Sequence, residues 1–426
     1  MKKLKVIVIG AGMRGKGYTD IMLQHPDKFE VVGVAEPVED KREYIRKAHN
    51  IPPENCFDTW EKILDVPKFA DVAIISTMDR MHSGPAIKAA NLKYHLLLEK
   101  PVAPTPEECI AIKNAAEDNG VKVLVCHVLR YTPFYKALKK LLDEGIVGEI
   151  MSVNHTEGVG NTHQSHSFVR GNWGNEGRSS SMLLQKSCHD LDLIQWLTNK
   201  ECDKIQSFGS LTHFTETCAP EGAPERCTDG CPHKDTCYYN AVKLYYDKKD
   251  NSWFRTVATQ MTNPTDEDVL EALKTTQYGK CVYKCDNDVV DHQVVNMEFE
   301  DKMTVTFSMN AFDKGGRRTE IVGTKGALYA RMGEDTVEFY ANEDKKSRQI
   351  SIVDKAQEES IVNGHGGGDG GIVLDLYDYI TDEIDGSKLS EIDISCKNHM
   401  LVFAAEEARL TNTVVDIKNF KGKYYR

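Results

Sequence analysis

The chain has no excess of positive charge. Its 53 lysines and arginines face 65 aspartates and glutamates, for a net charge of −12. That balance excludes an extended basic surface for nucleic acid or an anionic membrane. It also has no apolar run near the roughly 20 residues that a membrane span needs. A secretory leader is missing from the opening "MKKLKVIVIGAG": lysines precede an apolar run of about six residues. A leader's apolar core takes roughly 7–15 residues and ends at a small-residue cleavage site. The run reads as a first strand, and the protein is expected in the cytoplasm. In a reducing cytosol the twelve cysteines are core residues, metal ligands or redox groups rather than routine disulfides. Internal repeats are absent, and the only low-complexity segment is a short glycine run. At 426 residues the chain can build two or three domains with full cores.

Residues 1–130 alternate short apolar strands with helical segments. "KVIVIG", "EVVGVAE", "ADVAIIST", "YHLLLEK" and "VKVLVCHV" are near-continuous apolar runs, as in parallel strands covered on both faces. Between them, "TPEECIAIKNAAEDNG" has Thr105 as N-cap, Glu108 three residues on, and Gly120 as its stop. This pattern predicts a doubly wound α/β domain. From 131 to 426 the pattern changes to a helix, a strand, a polar loop ("VGNTHQSHSFVRGNWGNEGRSS"), a long helix, and alternating strands from about Asp288 to Asp354. Strands without intervening helices predict a C-terminal α+β domain with an open, mostly antiparallel sheet. A cysteine-rich insertion occupies about 213–287, and the last long helix is a candidate to pack back on the first domain.

Gly10-Ala11-Gly12-Met13-Arg14-Gly15 forms a GxGxxG between the first strand and the first helix. Its glycines permit a tight turn and close approach to a pyrophosphate, and the helix N-terminus offers free N–H groups. Glu36 ends the second strand, where a carboxylate accepts from a ribose 2′-hydroxyl and repels a 2′-phosphate. NAD is the expected cofactor. Arg14, Lys41 and Arg42 leave NADP as the alternative.

Glu99 and Lys100 end the strand "YHLLLEK", and Thr77 and His127 end its neighbours. Ligands of doubly wound sheets lie at the carboxyl ends of the strands. A lysine there can polarise a substrate hydroxyl; a strand-end salt bridge is the plainer reading. Pro101 fixes the turn, and a cis bond before it is allowed. These residues carry a resemblance. "VIVIGAGMRG", "EKPVA", "HVLRYTP" and "CHDLDLIQWL" together resemble the Gfo/Idh/MocA oxidoreductases over nearly the whole chain, the insertion excepted. The resemblance implies NAD(P)-dependent chemistry on hydroxyls of sugars and cyclitols, with Lys100 catalytic and Glu99 on the cofactor side. It also implies that Thr77, His82 and Arg130 lie near the cofactor, and that one sheet face is buried in a homo-oligomer.

On the long helix Gln185, His189, Asp192 and Trp196 fall on one stripe. His189 is the candidate general acid/base, against the plain reading of a core histidine; Asp192 is a candidate substrate contact. Many family members carry an aspartate four residues before the histidine, and this chain has Gln185. Lys186 either pairs with Asp190 at i+4 or enters the site as a second cation. The polar loop offers His155, Glu157, His163, His166, Arg170 and Trp173, as polar groups and an aromatic plate for a sugar, as metal ligands, or as a solvated loop. The resemblance lays it over the nicotinamide, with Arg170 and Trp173 facing in. His365 and Asp369 sit on a glycine loop, either linker or substrate lid.

Six cysteines lie in the insertion. Cys218, Cys227, Cys231 and Cys237 form a candidate structural site for zinc or an iron–sulfur cluster, with Cys281 and Cys285 following. Their spacings match neither a zinc ribbon nor the familiar iron–sulfur runs, so free thiols and disulfides remain alternatives. The expected function is oxidation or reduction of a sugar, sugar derivative or cyclitol with NAD. Two alternatives are transient oxidation and elimination of a glycoside with NAD held in place, and a catalytically idle NAD-binding regulator.

Overall fold

The computed structural model describes residues 3–352 and 365–425. Six short apolar runs pair as β1 (Leu4–Ile9), β2 (Phe29–Ala35), β3 (Cys56–Phe57), β4 (Val72–Ile75), β5 (His95–Leu98) and β6 (Val123–Val125). They form one sheet in the order β3-β2-β1-β4-β5-β6, every pair parallel. All four residues of β4 are buried. A helix-covered parallel sheet hides both faces, which is why its strands read as unbroken apolar runs. The strand order reverses between β1 and β4, and that switch point opens the crevice at their carboxyl ends. The helix Pro106–Asn119 starts at Thr105, whose hydroxyl accepts from the Glu108 amide, and stops at left-handed Gly120 (φ 61°).

The second sheet has nine strands: β7 (Ile150–Gly158), β8 (Cys202–Ser210), β9 (His292–Phe299), β10 (Thr304–Asn310), β11 (Gly316–Gly323), β12 (Gly326–Arg331), β13 (Thr336–Ala341), β14 (Lys346–Ser351) and β15 (Val415–Asp416). Their order is β14-β13-β12-β11-β7-β10-β9-β8-β15. Only β7 and β10 run parallel; the other pairs are antiparallel. Alternation sets its two faces: in β10, Val305, Phe307 and Met309 are buried while Thr304 and Thr306 are exposed. The inner face packs under the helices Met182–Thr198 and Ile392–Thr411. The outer face is open and exposes Phe208 and Tyr329. The expected strand region reaches Asp354, and residues 353–354 lie outside the described residues.

One apolar core joins both sheets, running from Ile7 and Leu96 to Met297 and Phe307. The helix Ile392–Thr411 packs against Pro106–Asn119, and Gly368–Ile380 packs against Met13–Leu23. The insertion carries its own small core around Tyr245, Phe254 and Leu273.

The polar segment after β7 is not an open loop. Residues 161–170 are helical, and His166, Phe168, Val169 and Arg170 are buried. The His166 ring stacks on Phe254, 4.0 Å between centroids. Its apolar partner comes from the insertion, so no local periodicity announces it.

Candidate active site

The nucleotide loop has the shape its glycines require. Gly10 is at φ +91°, and a Cβ there would lie 2.5 Å from the Ser76 carbonyl. A Cβ on Gly15 would strike the Gly10 carbonyl, whereas one on Gly12 would meet nothing within 4 Å. So the first and third glycines serve the fold, and the second leaves space for a ligand. Gly12 caps the helix Met13–Leu23 without a side-chain cap or an acidic first turn, leaving N–H groups for phosphate oxygens. Met13 is exposed beside them. The Ala11 and Val38 amides donate to the Glu36 carboxylate at 2.7 and 3.0 Å, which fixes that carboxylate at the rim. These features fit a dinucleotide.

The three cations that kept NADP open are each engaged. Lys41 donates to Gln260 at 2.6 Å, and Arg42 to the Glu36 and Pro37 carbonyls. Arg14 donates to Glu99 at 2.6 Å and to Asp369 at 2.8 and 3.0 Å. Tyr18 also donates to Glu99 at 2.6 Å. Burial would raise the Glu99 carboxyl, but Arg14 and Lys100 outweigh it and hold it below its ordinary value. His365 contacts Asp369 at 3.2 Å, so His365 and Asp369 clamp onto Arg14 instead of forming a free linker.

The Lys100–Pro101 peptide is cis, and the Lys100 ammonium donates to the Gln185 carbonyl at 2.7 Å. The His82 ring bridges the Pro101 and Thr77 carbonyls at 2.8 and 3.1 Å, which ties the lysine turn to the end of β4. Besides Glu99, Lys100 acts electrostatically on His189, His163 and Lys186. Burial, reinforced by Lys100, pushes His189 well below its ordinary value. It is therefore neutral near pH 7, and its buried Nδ1 has no hydrogen-bond partner among the described residues. Burial and then Lys186 do the same to His163.

Lys186 does not pair with Asp190. That carboxylate is held by Arg317 and His155 at 2.6 and 3.0 Å. Lys186 instead pairs with Glu157 at 3.1 Å, and burial lowers its ammonium below the usual lysine range. Gln185 donates to Asp79, which also accepts from Trp173 at 3.5 Å. Asp79 was not among the expected residues. It lies four residues after β4 ends, so strand-end logic would have reached it.

Several expected contacts are structural. Asp192 does not face the cleft: Arg130 holds it through two bonds of 2.6 and 2.7 Å, both side chains buried. That corrects the assignment of Asp192 to substrate and of Arg130 to cofactor. His155 is a buried strut between Asp190 and Thr319, not a substrate contact. Arg170 does not reach the nicotinamide region, because its guanidinium turns into the insertion and donates to the Lys280 and Tyr239 carbonyls. His127 is fully buried between His189 and His399, and burial pushes it down to about 4.

All twelve cysteines are free, and among the described residues no three His, Cys, Asp or Glu side chains converge as ligands of a single metal ion. Cys218 is exposed and donates to the Thr212 carbonyl. Cys227, Cys231, Cys237 and Cys281 share one pocket, so Cys281 replaces Cys218 in the expected quartet.

Two family models match the chain: "Oxidoreductase family, NAD-binding Rossmann fold" over residues 4–127 and "Oxidoreductase family, C-terminal alpha/beta domain" over residues 139–390. YteT of Bacillus subtilis (strain 168) is 23% identical over 352 residues, which are 79% of this chain and 78% of that protein. The 2,7-anhydro-N-acetylneuraminate hydratase of Escherichia coli (strain K12) is 28% identical over 207 residues, 48% of this chain and 53% of that enzyme. The chain thus spans about half of that relative. A solved structure of levoglucosan dehydrogenase in complex with NADH and L-sorbose superposes with a TM-score of 0.72 at 19% identity, covering 98% of this chain and 99% of that one. With both domain models matched in sequence order around the same nucleotide loop, the chain belongs to the Gfo/Idh/MocA oxidoreductase family.

Proposed function

We propose that this oxidoreductase acts on a hydroxyl-bearing carbon of a sugar, sugar derivative or cyclitol, with NAD rather than NADP. The observation that carries the reading is the Lys100 ammonium, just past the end of β5, bonded at 2.7 Å to the Gln185 carbonyl of the helix that bears Lys186 and His189, with a glycine loop open at Gly12 on the same sheet. The loop, the helix N-terminus and Glu36 would hold the dinucleotide, with Thr77 at the neighbouring strand end. NAD, when bound, supplies the hydride acceptor or donor. Neutral His189 takes the hydroxyl proton when the substrate is oxidised and returns it in reduction. The Lys100 ammonium holds that oxygen and stabilises its developing negative charge. Lys186, His163 and Trp173 are the candidate sugar contacts. A sugar and cyclitol panel followed at the NADH absorbance tests the reading; no turnover with any member, despite NAD binding, would count against it.

A second reading keeps this site and holds the cofactor in place, so that transient oxidation leads to elimination or addition with no net NADH. Two bridges support it. The insertion reaches the helix Glu39–Ala48 through Lys41–Gln260 and Asp40–Thr262. The glycine loop reaches the nucleotide loop through Asp369 and Arg14. A redox-neutral hydratase among the relatives agrees with it.

The same reading places the protein in the cytoplasm, in keeping with its twelve free thiols. No described helix is long and apolar enough to cross a membrane. The open outer face of the nine-stranded sheet, with exposed Phe208 and Tyr329, supports a homo-oligomer. A purely monomeric mass by light scattering at micromolar concentration would refute that.

A further inference from the structure

The helix Ser252–Thr259 of the insertion carries Trp253 and Phe254 side by side. Adjacent helical positions point about 100° apart, so the two rings meet different surroundings. Phe254 is buried and stacks on His166, 4.0 Å between centroids and 8° from parallel. That ring does the packing. Trp253 is only half-buried. Its indole N–H is accessible and has no hydrogen-bond partner among the described residues. A tryptophan kept for packing alone would set that N–H on an acceptor.

Trp253 ends a row of rings. It meets His163 edge-on at 5.2 Å; His163 lies 5.6 Å from Phe168, and Phe168 6.4 Å from Trp173. The Trp173 N–H reaches Asp79 at 3.5 Å. Gln185 donates to the same carboxylate, and its own carbonyl accepts from the Lys100 ammonium at 2.7 Å. The row therefore starts at the residues that hold Lys100 and ends on the insertion. Phe168 is its buried backing, while Trp173, His163 and Trp253 are half-buried. Neither ring nitrogen of His163 has a hydrogen-bond partner among the described residues. Burial first, then Lys186, His166 and Lys100, keep that ring neutral, so it offers one donor and one acceptor.

Aromatic faces with a few hydrogen-bonding groups beside them suit a sugar. Each step of the row is about the width of one pyranose, so the whole row exceeds what a monosaccharide covers. We infer that the substrate carries a second ring, as a disaccharide or an aryl glycoside, and that Trp253 and His163 form the subsite for that ring. The reacting ring takes the Trp173 end, beside Lys100. This rests on the sugar-directed reading above and names the size class of its substrate. A single-ring sugar or a cyclitol would leave Trp253 untouched.

The test is binding to the full chain with NAD present, read by titration calorimetry and saturation-transfer NMR. The probes are the methyl β-glycosides of glucose and galactose, cellobiose, lactose, and the p-nitrophenyl β-glycosides of the same two sugars. Two-ring probes are expected to bind several-fold more tightly than the matching methyl glycosides, with both rings receiving saturation. Trp253→Ala reduces that preference by roughly three- to ten-fold, the worth of one ring stack, and Trp253→Phe keeps most of it. Equal affinity for one-ring and two-ring probes overturns the proposal. So does a failure of every two-ring probe to bind, or a preference unchanged in Trp253→Ala. Should that variant not fold, the wild-type preference and the saturation of the second ring still decide. None of these readouts needs turnover. Two-ring binding with no hydride transfer to or from any bound probe would count against the hydride-transfer reading and leave the subsite standing; turnover of one-ring sugars without a two-ring preference would do the reverse.

Discussion

At the residue scale, two side chains carry the chemistry proposed here, and their removal should separate chemistry from binding. Lys100→Ala and His189→Ala are each expected to lower kcat roughly 100-fold or more, the usual worth of a positioned acid or base. The nucleotide loop lies on other residues, so NAD affinity by fluorescence titration should stay within a few-fold. Near-normal kcat in either variant would remove that residue from the mechanism. Gln185 poses a second question, because glutamine carries no proton. Its amide donates to Asp79, so a buried carboxylate reaches the site from the end of β4. Asp79→Asn should lower kcat at least several-fold without changing NAD affinity. Gln185→Asp would set two buried carboxylates against each other and raise the pKa of one, which should lower Tm by several degrees. An unchanged Tm would mean that the two side chains are farther apart in solution than here. The placement of Lys100 just past a strand end and of His189 on a long helix was legible in the sequence, because apolar runs and helical periods are local features. Arg130 and Asp192 were misread, because residue type alone does not distinguish a charge facing a ligand from one facing its mate. That pairing spans 62 residues of sequence.

At the scale of elements, local pattern was a good guide wherever an element carried its own period. The helix from Met182 to Thr198 and the parallel strands announced themselves. The helical segment 161–170 did not, since it is held by aromatic rings from residues 245–278. The reach of the insertion across the nucleotide side was equally invisible, for its contacts join residues 219 and 222 positions apart. Those contacts have a measurable consequence. On the second reading, in which the cofactor is held in place, denatured wild-type protein releases NAD(H) in near-stoichiometric amount. Asp40→Ala with Gln260→Ala removes the bridge and should raise the rate of nucleotide loss several-fold. That is the scale of a few exposed hydrogen bonds at about 0.5–1.5 kcal/mol each. Protein that purifies free of nucleotide, with NAD exchanging quickly, would favour an ordinary dehydrogenase that releases NADH.

At the scale of the whole molecule, burial of neutral histidines sets the response to acid. Burial takes His127 down to about 4, and His166 and His399 to about 3, from an ordinary 6.5. His399 shows why it stays neutral: it accepts from the Val102 amide on Nε2 while Nδ1 faces the Ser395 carbonyl. Below pH 6.5 the unfolded chain takes up protons at these positions and the folded chain does not. Their contribution to stability is therefore complete above 6.5, lost as pH falls, and exhausted near 4 for His127 and near 3 for the other two. Each histidine adds up to about 1.4 kcal/mol per pH unit within its window, so three give about 4 kcal/mol per unit near pH 5. Asp190, held down to about 2 by Arg317 and His155 against the opposing effect of burial, acts in the same direction at lower pH. Against a typical total of 5–15 kcal/mol, the urea midpoint should fall steeply between pH 7 and pH 5. The slope should be shallower in His399→Gln, which removes one of the buried histidines that titrate only in the unfolded chain over this range. A midpoint flat across that range would mean that these rings are protonated or solvated in the folded protein, and His189 could then no longer be taken as a neutral base in a dry cleft.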